Sequence, residues 1–156
     1  MTPANAMDSR ADDSAAAPGD ELLVLWELVQ TAHLATRVFR DVFADFGLTS
    51  TQFGVLACLA DGDDFTKAEL ARALLVRPQS IDPLIETLIA ERLVERDGPA
   101  RRGRAAGITI TTAGTELLAR IRPRVSEVNS PDRIGVDASQ IPLLVEQLRM
   151  IRDRLA

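Results

Sequence analysis

The stretch that most constrains the fold of this chain is residues 66–90, where two short helical patterns follow each other with a brief break between them. Thr66 is followed three residues later by Glu69, which is the spacing of a capping box and predicts a helix start. The break falls just before Pro78, because proline disfavours helical geometry in the residue that precedes it. The second helix is predicted from apolar residues at helical spacing, which are Ile81, Leu84, Ile85, Leu88 and Ile89. Two helices joined by so few residues must cross steeply, as in a helix-turn-helix.

A β-hairpin with a basic tip is predicted directly after the second helix. Residues 93–96 are compatible with a strand, and residues 108–111 alternate strictly between isoleucine and threonine. The loop between them, residues 97–107, contains glycines and the arginines Arg101, Arg102 and Arg104. Together these elements predict a mainly α fold with a small β-hairpin wing, a winged helix-turn-helix. The second helix of such a fold fits the major groove of DNA, and an arginine loop reaches the backbone or the minor groove.

Long amphipathic helices are predicted at both ends of the chain. Residues 20–46 form the first, with Asp20 as its N-cap and Gly47 as the residue after its end. Its apolar surface exceeds what one neighbouring helix covers, which suggests burial in a subunit interface. The last helix, roughly residues 139–155, has a similar apolar spacing. We therefore expect a homodimer built from the two chain ends.

Shorter signals place the remaining elements. Thr49 and Gln52 form a second capping box, which predicts a helix before the helix-turn-helix. Thr111 or Thr112 is expected to cap a helix after the wing. Pro123 lies within the apolar pattern of that helix and implies a kink or an early end. Residues 130–137 are predicted to form a loop.

The chain is long enough for one domain and a tail. Residues 1–19 are rich in Ala, Asp, Ser and Pro without periodicity, which predicts a disordered acidic tail. The domain is expected over residues 20–156. Within it, residues 20–46 and 112–156 are the dimerisation helices, and residues 48–111 are the DNA-binding lobe.

The net charge of −5 looks unfavourable for a DNA-binding protein, but most of it lies near the N-terminus. Residues 1–21 hold five carboxylates against one arginine, a net charge of −4, which leaves −1 for the rest of the chain. Since the local field rather than the total charge governs phosphate contact, the arginines of the hairpin loop still favour DNA as a partner.

Composition argues against several other classes of protein. No apolar run approaches the roughly 20 residues that span a membrane, and no signal-peptide pattern opens the chain, so we expect a cytoplasmic protein. One cysteine, Cys58, and one histidine, His33, fit a reducing compartment and cannot form a His/Cys metal site. We expect no metal and no cofactor. No nucleophile–base pairing or phosphate-binding glycine loop is recognisable, which argues against an enzyme.

Three stretches together resemble the MarR family of bacterial transcriptional regulators. They are LTSTQFGVLACL (residues 48–59), ELARALLVRPQSIDPLIETLIAERLVER (69–96) and ITITTAGTELL (108–118). They resemble the family's second helix, its helix-turn-helix with the first wing strand, and the strand and helix start after the wing. The resemblance covers about residues 20–156. It implies a homodimer, two winged motifs that bind double-stranded DNA at a palindromic operator, and often a small-molecule pocket between the dimer helices and the DNA-binding lobe.

The resemblance assigns DNA contacts to the start of the recognition helix and to the wing. Arg104 falls where the family's wing arginine usually lies, and Arg102 replaces the acidic residue often found two positions earlier. The residues predicted to bind DNA are Arg77, Pro78, Gln79, Ser80, Asp82, Arg101, Arg102 and Arg104.

Two features of the recognition helix depart from the family pattern. If the helix starts at Pro78, Pro83 breaks an internal hydrogen bond and costs about 3 kcal/mol or more unless a kink absorbs it. Alternatively, Asp82 is the N-cap and Pro83 is the first helical residue, which is a favoured arrangement. Asp82 and Glu86 also place negative charge on the exposed face, which repels phosphate unless these carboxylates point at base edges.

A ligand site is predicted on the first helix, at its junction with the winged lobe. Trp26, His33 and Arg37 are spaced by seven and four residues and offer an aromatic wall, a titratable ring and a fixed cation. This set suits a small aromatic or phenolic anion as effector. The alternative is that Trp26 and His33 only pack against neighbours and that Arg37 is solvated.

The leading interpretation is a homodimeric DNA-binding transcriptional regulator, a repressor released by a small aromatic ligand. The alternative is a winged-helix protein-interaction module with weak or lost DNA binding, which Pro83 and the acidic residues of the recognition helix favour. The arginine-rich wing and the complete family layout favour the regulator.

Overall fold

The structure is a computed structural model, which describes residues 23–61, 65–97 and 107–156. Within these ranges the chain is mainly helical with one two-stranded sheet, which confirms the predicted fold class. The helices and strands are α1 (Val24–Ala44), α2 (Ser50–Ala60), α3 (Lys67–Ala73), α4 (Ile81–Ala90), β1 (Val94–Asp97), β2 (Gly107–Ile110), α5 (Thr112–Val128), α6 (Pro131–Ile134) and α7 (Ile141–Leu155). The predicted tail and the wing arginines Arg101, Arg102 and Arg104 lie outside the described residues. The prediction of Asp20 as N-cap is wrong, because α1 begins at Val24 with Leu23 in the N-cap position.

Local sequence sets the starts of α2 and α3. The hydroxyl of Thr49 accepts a hydrogen bond from the backbone N–H of Gln52 at 3.2 Å, and the Gln52 side chain accepts one from the Thr49 N–H at 2.7 Å. Thr66 and Glu69 make the same reciprocal pair at 3.3 and 2.7 Å. Each box satisfies two backbone donors that have no partner inside the helix. Both predicted capping boxes are confirmed.

The end of α1 is set by Gly47. This glycine has a φ of 71°, a left-handed conformation that glycine adopts without steric cost. Its N–H donates to the carbonyl of Ala44, and the N–H of Leu48 donates to the carbonyl of Phe43, both at 3.0 Å. This is the Schellman pattern. It stops α1 and turns the chain towards α2.

The hydrophobic core lies between α2, α3, α4, α5 and the sheet, and the C-terminal end of α1 adds Val42 and Phe43. The side chains with the least exposure come from all of these elements: Val55, Leu56, Leu70, Ile81, Ile85, Leu88, Val94, Ile108 and Ile121. The helical spacing of four between Ile81 and Ile85 puts both on the inner face of α4. The opposite face of α4 is therefore left towards solvent.

The hairpin is tied to the helices on both sides. β1 and β2 pair in antiparallel register, with Val94 opposite Ile110 and Arg96 opposite Ile108. The N–H of Ile108 also donates to the carbonyl of Phe65 at 3.2 Å, which adds the segment before α3 to the edge of the sheet. The wing root is thus fixed to the helix-turn-helix.

The start of α5 is locked against the residues that follow α4. Thr111, and not Thr112, is the N-cap, because its hydroxyl accepts from the N–H of Gly114 at 3.1 Å. The same hydroxyl donates to the carbonyl of Arg92 at 2.7 Å, and the Thr111 N–H donates to the carbonyl of Leu93 at 3.1 Å. We call this set of contacts the wing-root joint. It connects the recognition helix and wing to the long helix α5.

Two expectations about the C-terminal part are corrected by the structure. Of the two alternatives at Pro123, an early end is wrong, because α5 continues through it to Val128, and the kink stays a prediction. The loop predicted over residues 130–137 contains the one-turn helix α6, so that prediction is wrong. The physical reason is that Pro131 occupies the first helical turn, where its missing N–H costs nothing, and Gly135 ends the turn with a φ of 69°.

The helices at the two chain ends leave much of their apolar surface uncovered. No residue of α7 is buried, although its pattern is amphipathic. The large apolar side chains that remain exposed on α1 and α7, with the N-cap of α1, are Leu23, Val24, Leu25, Trp26, Val29, Leu34, Val38, Leu143, Val145, Leu148, Met150 and Leu155. Exposed apolar side chains concentrated on two helices are typical of an interaction surface.

Candidate nucleic-acid interface

The turn between α3 and α4 is built on a residue with left-handed backbone geometry. Leu75 has a φ of 53°, and the N–H of Val76 donates back to the carbonyl of Ala71 at 3.0 Å. Arg77 is extended, with φ −67° and ψ 139°, as expected before a proline. This geometry confirms the predicted break. It redirects the chain sharply into the second helix.

The start of the recognition helix differs from both alternatives drawn from the sequence. Residues 78–80 form a 3-10 turn that leads into α4, and α4 begins at Ile81 with Ser80 in the N-cap position. Asp82 is therefore not the N-cap. Pro83 is the third residue of the helix, in the first turn, where a backbone N–H has no partner within the helix anyway. The expected cost of a broken hydrogen bond does not arise.

The predicted DNA contacts that the structure describes all lie at the surface. Arg77, Pro78, Gln79 and Ser80 are exposed along the 3-10 turn, and Asp82 is exposed at the start of α4. Ile81, Ile85 and Leu88 are fully buried behind them. The turn is consequently presented outward on a rigid, well-packed support.

Both carboxylates on the outer face of α4 have a basic partner on another element. Asp82 pairs with Lys67, the first residue of α3, with 2.5 Å between Oδ1 and Nζ. Glu86 pairs with Arg96 of β1. Sequence reasoning missed both pairs, because their members are far apart along the chain and only the tertiary fold brings them together. The pairs offset the repulsion that these two carboxylates would exert on phosphate.

A cleft of about 400 Å³ lies between α1 and α2, outside the predicted ligand site. Three aromatic rings line it, with ring centroids 5.6 Å apart for Phe39 and Phe43 and 4.3 Å apart for Phe43 and Phe53. The remaining lining residues are small or carry a hydroxyl group, namely Ala32, Ala35, Thr36 and Ser50. The cleft suits a flat apolar or aromatic molecule.

A second cleft, of about 370 Å³, lies where α1 and α7 meet the turn of the helix-turn-helix. Leu28, Leu75 and Leu148 contribute apolar walls, and Arg152 contributes a cation. It touches Leu75, the left-handed residue of that turn. A group bound here would contact both a terminal helix and the DNA-binding lobe.

The residues predicted to bind a ligand line neither of these clefts. Trp26, His33 and Arg37 are exposed on α1. The site they would form stays a prediction.

Cys58 is partly buried against the core, where burial, and to a smaller extent the charge of Asp61, raise the pKa of its thiol.

Comparisons with known proteins agree with this geometry. The model of the MarR family matches residues 46–105, which hold α2, the helix-turn-helix and β1. The HTH-type transcriptional repressor NicR of Pseudomonas putida is 27% identical over 118 residues, which is 76% of this chain and 75% of NicR. No helix in the described part of the chain is long and apolar enough to cross a membrane.

Two solved structures illustrate the shared fold. The Mycobacterium tuberculosis MarR family protein Rv2887, in complex with salicylic acid, matches with a TM-score of 0.66 at 24% identity, over 85% of this chain and 98% of Rv2887. Bordetella bronchiseptica BpsR, whose DNA binding is regulated by 6-hydroxynicotinic acid, matches with a TM-score of 0.70 at 23% identity, over 83% of this chain and 98% of BpsR.

Proposed function

We propose that this chain, whose residues 46–105 match the model of the MarR family, is a homodimeric, cytoplasmic DNA-binding repressor that releases its operator when a small aromatic molecule binds. The observation that carries the proposal is the turn at residues 77–80. It is exposed, it precedes a helix whose inner face is fully buried, and it is flanked by a hairpin wing. The N-terminal residues of a recognition helix are those that contact base edges in the major groove.

Dimer formation is supported by the uncovered apolar faces of α1 and α7. A monomer would leave Leu34, Leu143 and Leu155 at least half exposed, together with the other apolar residues of those helices. A second copy that packs α1 and α7 against their counterparts removes this surface from water, at roughly 25 cal/mol for each Å² buried. A dimer also sets two recognition helices at the fixed separation that palindromic DNA requires. Sedimentation equilibrium at micromolar concentration is expected to give twice the chain mass, and a monomer would contradict it.

The repressor role rests on the likeness to NicR, which is a transcriptional repressor. A bound dimer blocks a promoter simply by occupying it, so repression needs no further surface on the protein. The test is a reporter gene placed behind the DNA that precedes this chain's own gene. Expression that falls when the protein is supplied agrees with repression, and expression that rises contradicts it.

The effector class is supported by two related structures and by two clefts in this chain. Rv2887 binds salicylic acid, and 6-hydroxynicotinic acid regulates BpsR. The cleft with Phe39, Phe43 and Phe53 offers an aromatic wall, and the cleft at Leu75 offers a cation beside the DNA-binding turn. Trp26, His33 and Arg37, exposed on α1, remain the predicted alternative site.

A ligand releases DNA only if it binds more tightly to a dimer conformation in which the two recognition helices do not fit DNA. The experiment is a titration with salicylate and related aromatic acids, followed by the fluorescence of Trp26, the only tryptophan, and in parallel by a gel shift on the upstream DNA. Binding that weakens the DNA complex supports the proposal. Ligand binding that leaves DNA affinity unchanged contradicts the coupling, because linkage requires a difference between the two states.

A further inference from the structure

The recognition helix carries no cation of its own. Its sequence from Ile81 to Ala90 contains neither lysine nor arginine, and its charged residues are Asp82 and Glu86. A helix in the major groove lies between two rows of phosphates, and the phosphate contacts supply most of the affinity of such complexes. Apart from Arg77, in the turn that precedes it, the cations that serve α4 must therefore come from other elements.

Two cations are held beside α4 by its own carboxylates. Lys67 reaches Asp82 from the start of α3, and Arg96 reaches Glu86 from β1. These two elements pack against α4 as separate neighbours. In helix-turn-helix complexes the first helix crosses the DNA backbone, and Lys67 is the first residue of that helix. Asp82 and Glu86 are four residues apart and share the outer face of α4, so Lys67 and Arg96 both lie along the exposed face that would approach the DNA backbone.

Both basic side chains keep the means to bind a second partner. The Lys67 side chain is 44% exposed and the Arg96 side chain 48% exposed. An ammonium group has three N–H donors and a guanidinium group has five, so a single carboxylate leaves several free for phosphate oxygens. Exposed ion pairs of this kind add little to folding stability. We therefore expect the two ion pairs to affect DNA binding more than folding stability.

We propose that Lys67 and Arg96 make the phosphate contacts of the recognition helix, and that Asp82 and Glu86 are positioning residues that orient these two cations. The inference rests on the proposed DNA binding and names residues that serve it. Each carboxylate is neutralised by its partner and fixes the side chain of that partner at the edge of α4. Removal of a cation leaves its carboxylate unpaired in front of the phosphates, so the loss of DNA affinity exceeds the loss expected from one phosphate contact.

The test is a double-mutant cycle on Glu86 and Arg96, read by fluorescence anisotropy on a labelled duplex at several salt concentrations. Each phosphate contact adds about 0.9 to the slope of log K against log salt, so its loss weakens binding about fivefold at 0.15 M salt. Arg96→Ala is expected to lower the slope by about one and to weaken binding to operator and unrelated duplexes alike. The double variant Glu86→Gln/Arg96→Ala is expected to regain part of the affinity, because the unpaired carboxylate is gone. Lys67→Ala is expected to behave like Arg96→Ala.

The matched control is Arg124→Ala, which breaks a similarly exposed pair with Glu127 on α5. It removes the same charge away from α4 and is expected to leave the salt slope unchanged. Unfolding temperatures of all variants should match the wild type, so that a loss of binding is not a loss of fold.

Several results would overturn the inference. A salt slope that stays the same in both Arg96→Ala and Lys67→Ala shows that these cations do not touch DNA. Glu86→Gln alone that binds at least as tightly as the wild type shows that Glu86 does not position Arg96. A change of preferred base in Glu86→Gln shows that Glu86 reads a base directly. If the wild type binds no duplex at all, the proposed function itself fails, which is a distinct outcome.

Discussion

Replacement of Gly114 by alanine tests the wing-root joint. A Cβ at this position would lie 2.3 Å from the carbonyl oxygen of Leu93 and 2.7 Å from Cγ1 of Ile110. The closest atom belongs to the backbone, so no rotamer change relieves the clash, and the joint between the wing and α5 must open. Overpacking of this kind costs about 1–3 kcal/mol, while the better helix propensity of alanine returns at most about 1 kcal/mol. We expect Gly114→Ala to lose about 1–2 kcal/mol.

Gly54→Ala is the matched control for that variant. Gly54 also lies in a helix, but a Cβ there would meet only the tip of the Leu74 side chain, at 2.7 Å, and this tip can rotate away. The gain in helix propensity then offsets most of the cost, and stability is expected to stay near the wild type. Thermal unfolding followed by circular dichroism at one protein concentration should place Gly114→Ala about 2–8 °C below Gly54→Ala. Equal melting temperatures would show that the joint is loose and that the packing argument is wrong.

Three further outcomes are expected. Thr66→Ala removes the capping box of α3 and should cost about 1 kcal/mol in denaturant unfolding; an unchanged midpoint would mean that the box contributes nothing. The Cys58 thiol, whose pKa is raised by burial and by Asp61, should react with an alkylating reagent at pH 8 more slowly in the folded protein than in the unfolded one, and equal rates would contradict this. Arg102→Ala/Arg104→Ala should weaken binding to all DNA sequences and lower the salt slope by up to about two; a constant slope would show that the wing does not reach DNA.

The features that the sequence predicted well are those set by residues close together in the chain. The boxes at Thr49 and Thr66 depend on side chains three residues away, and the turn after α1 depends on Gly47 alone. The hairpin followed from the alternation of residues 108–111, because a period of two directly gives one buried face. Local rules of this kind are sufficient to place most elements of the winged lobe.

The features that escaped prediction depend on contacts across the fold. Pro83 was expected either to kink α4 or to start it, yet a 3-10 turn from Pro78 places it harmlessly in the first helical turn. The partner of Asp82 is fifteen positions away in sequence, on another helix, so charge patterning along α4 showed an unpaired carboxylate where the structure has an ion pair. The sequence predicts a loop at the short helix that starts at Pro131, because proline is common in turns and at helix starts alike.

A hydroxyl-radical footprint of the wild-type protein on the DNA upstream of its own gene tests most directly whether this chain reads an operator as a dimer. Two winged motifs in a symmetric dimer are expected to protect two half-sites whose centres lie about 10 base pairs, or a multiple of one helical turn, apart. Protection of a single half-site, or uniform protection without sequence preference, would contradict the proposed regulator.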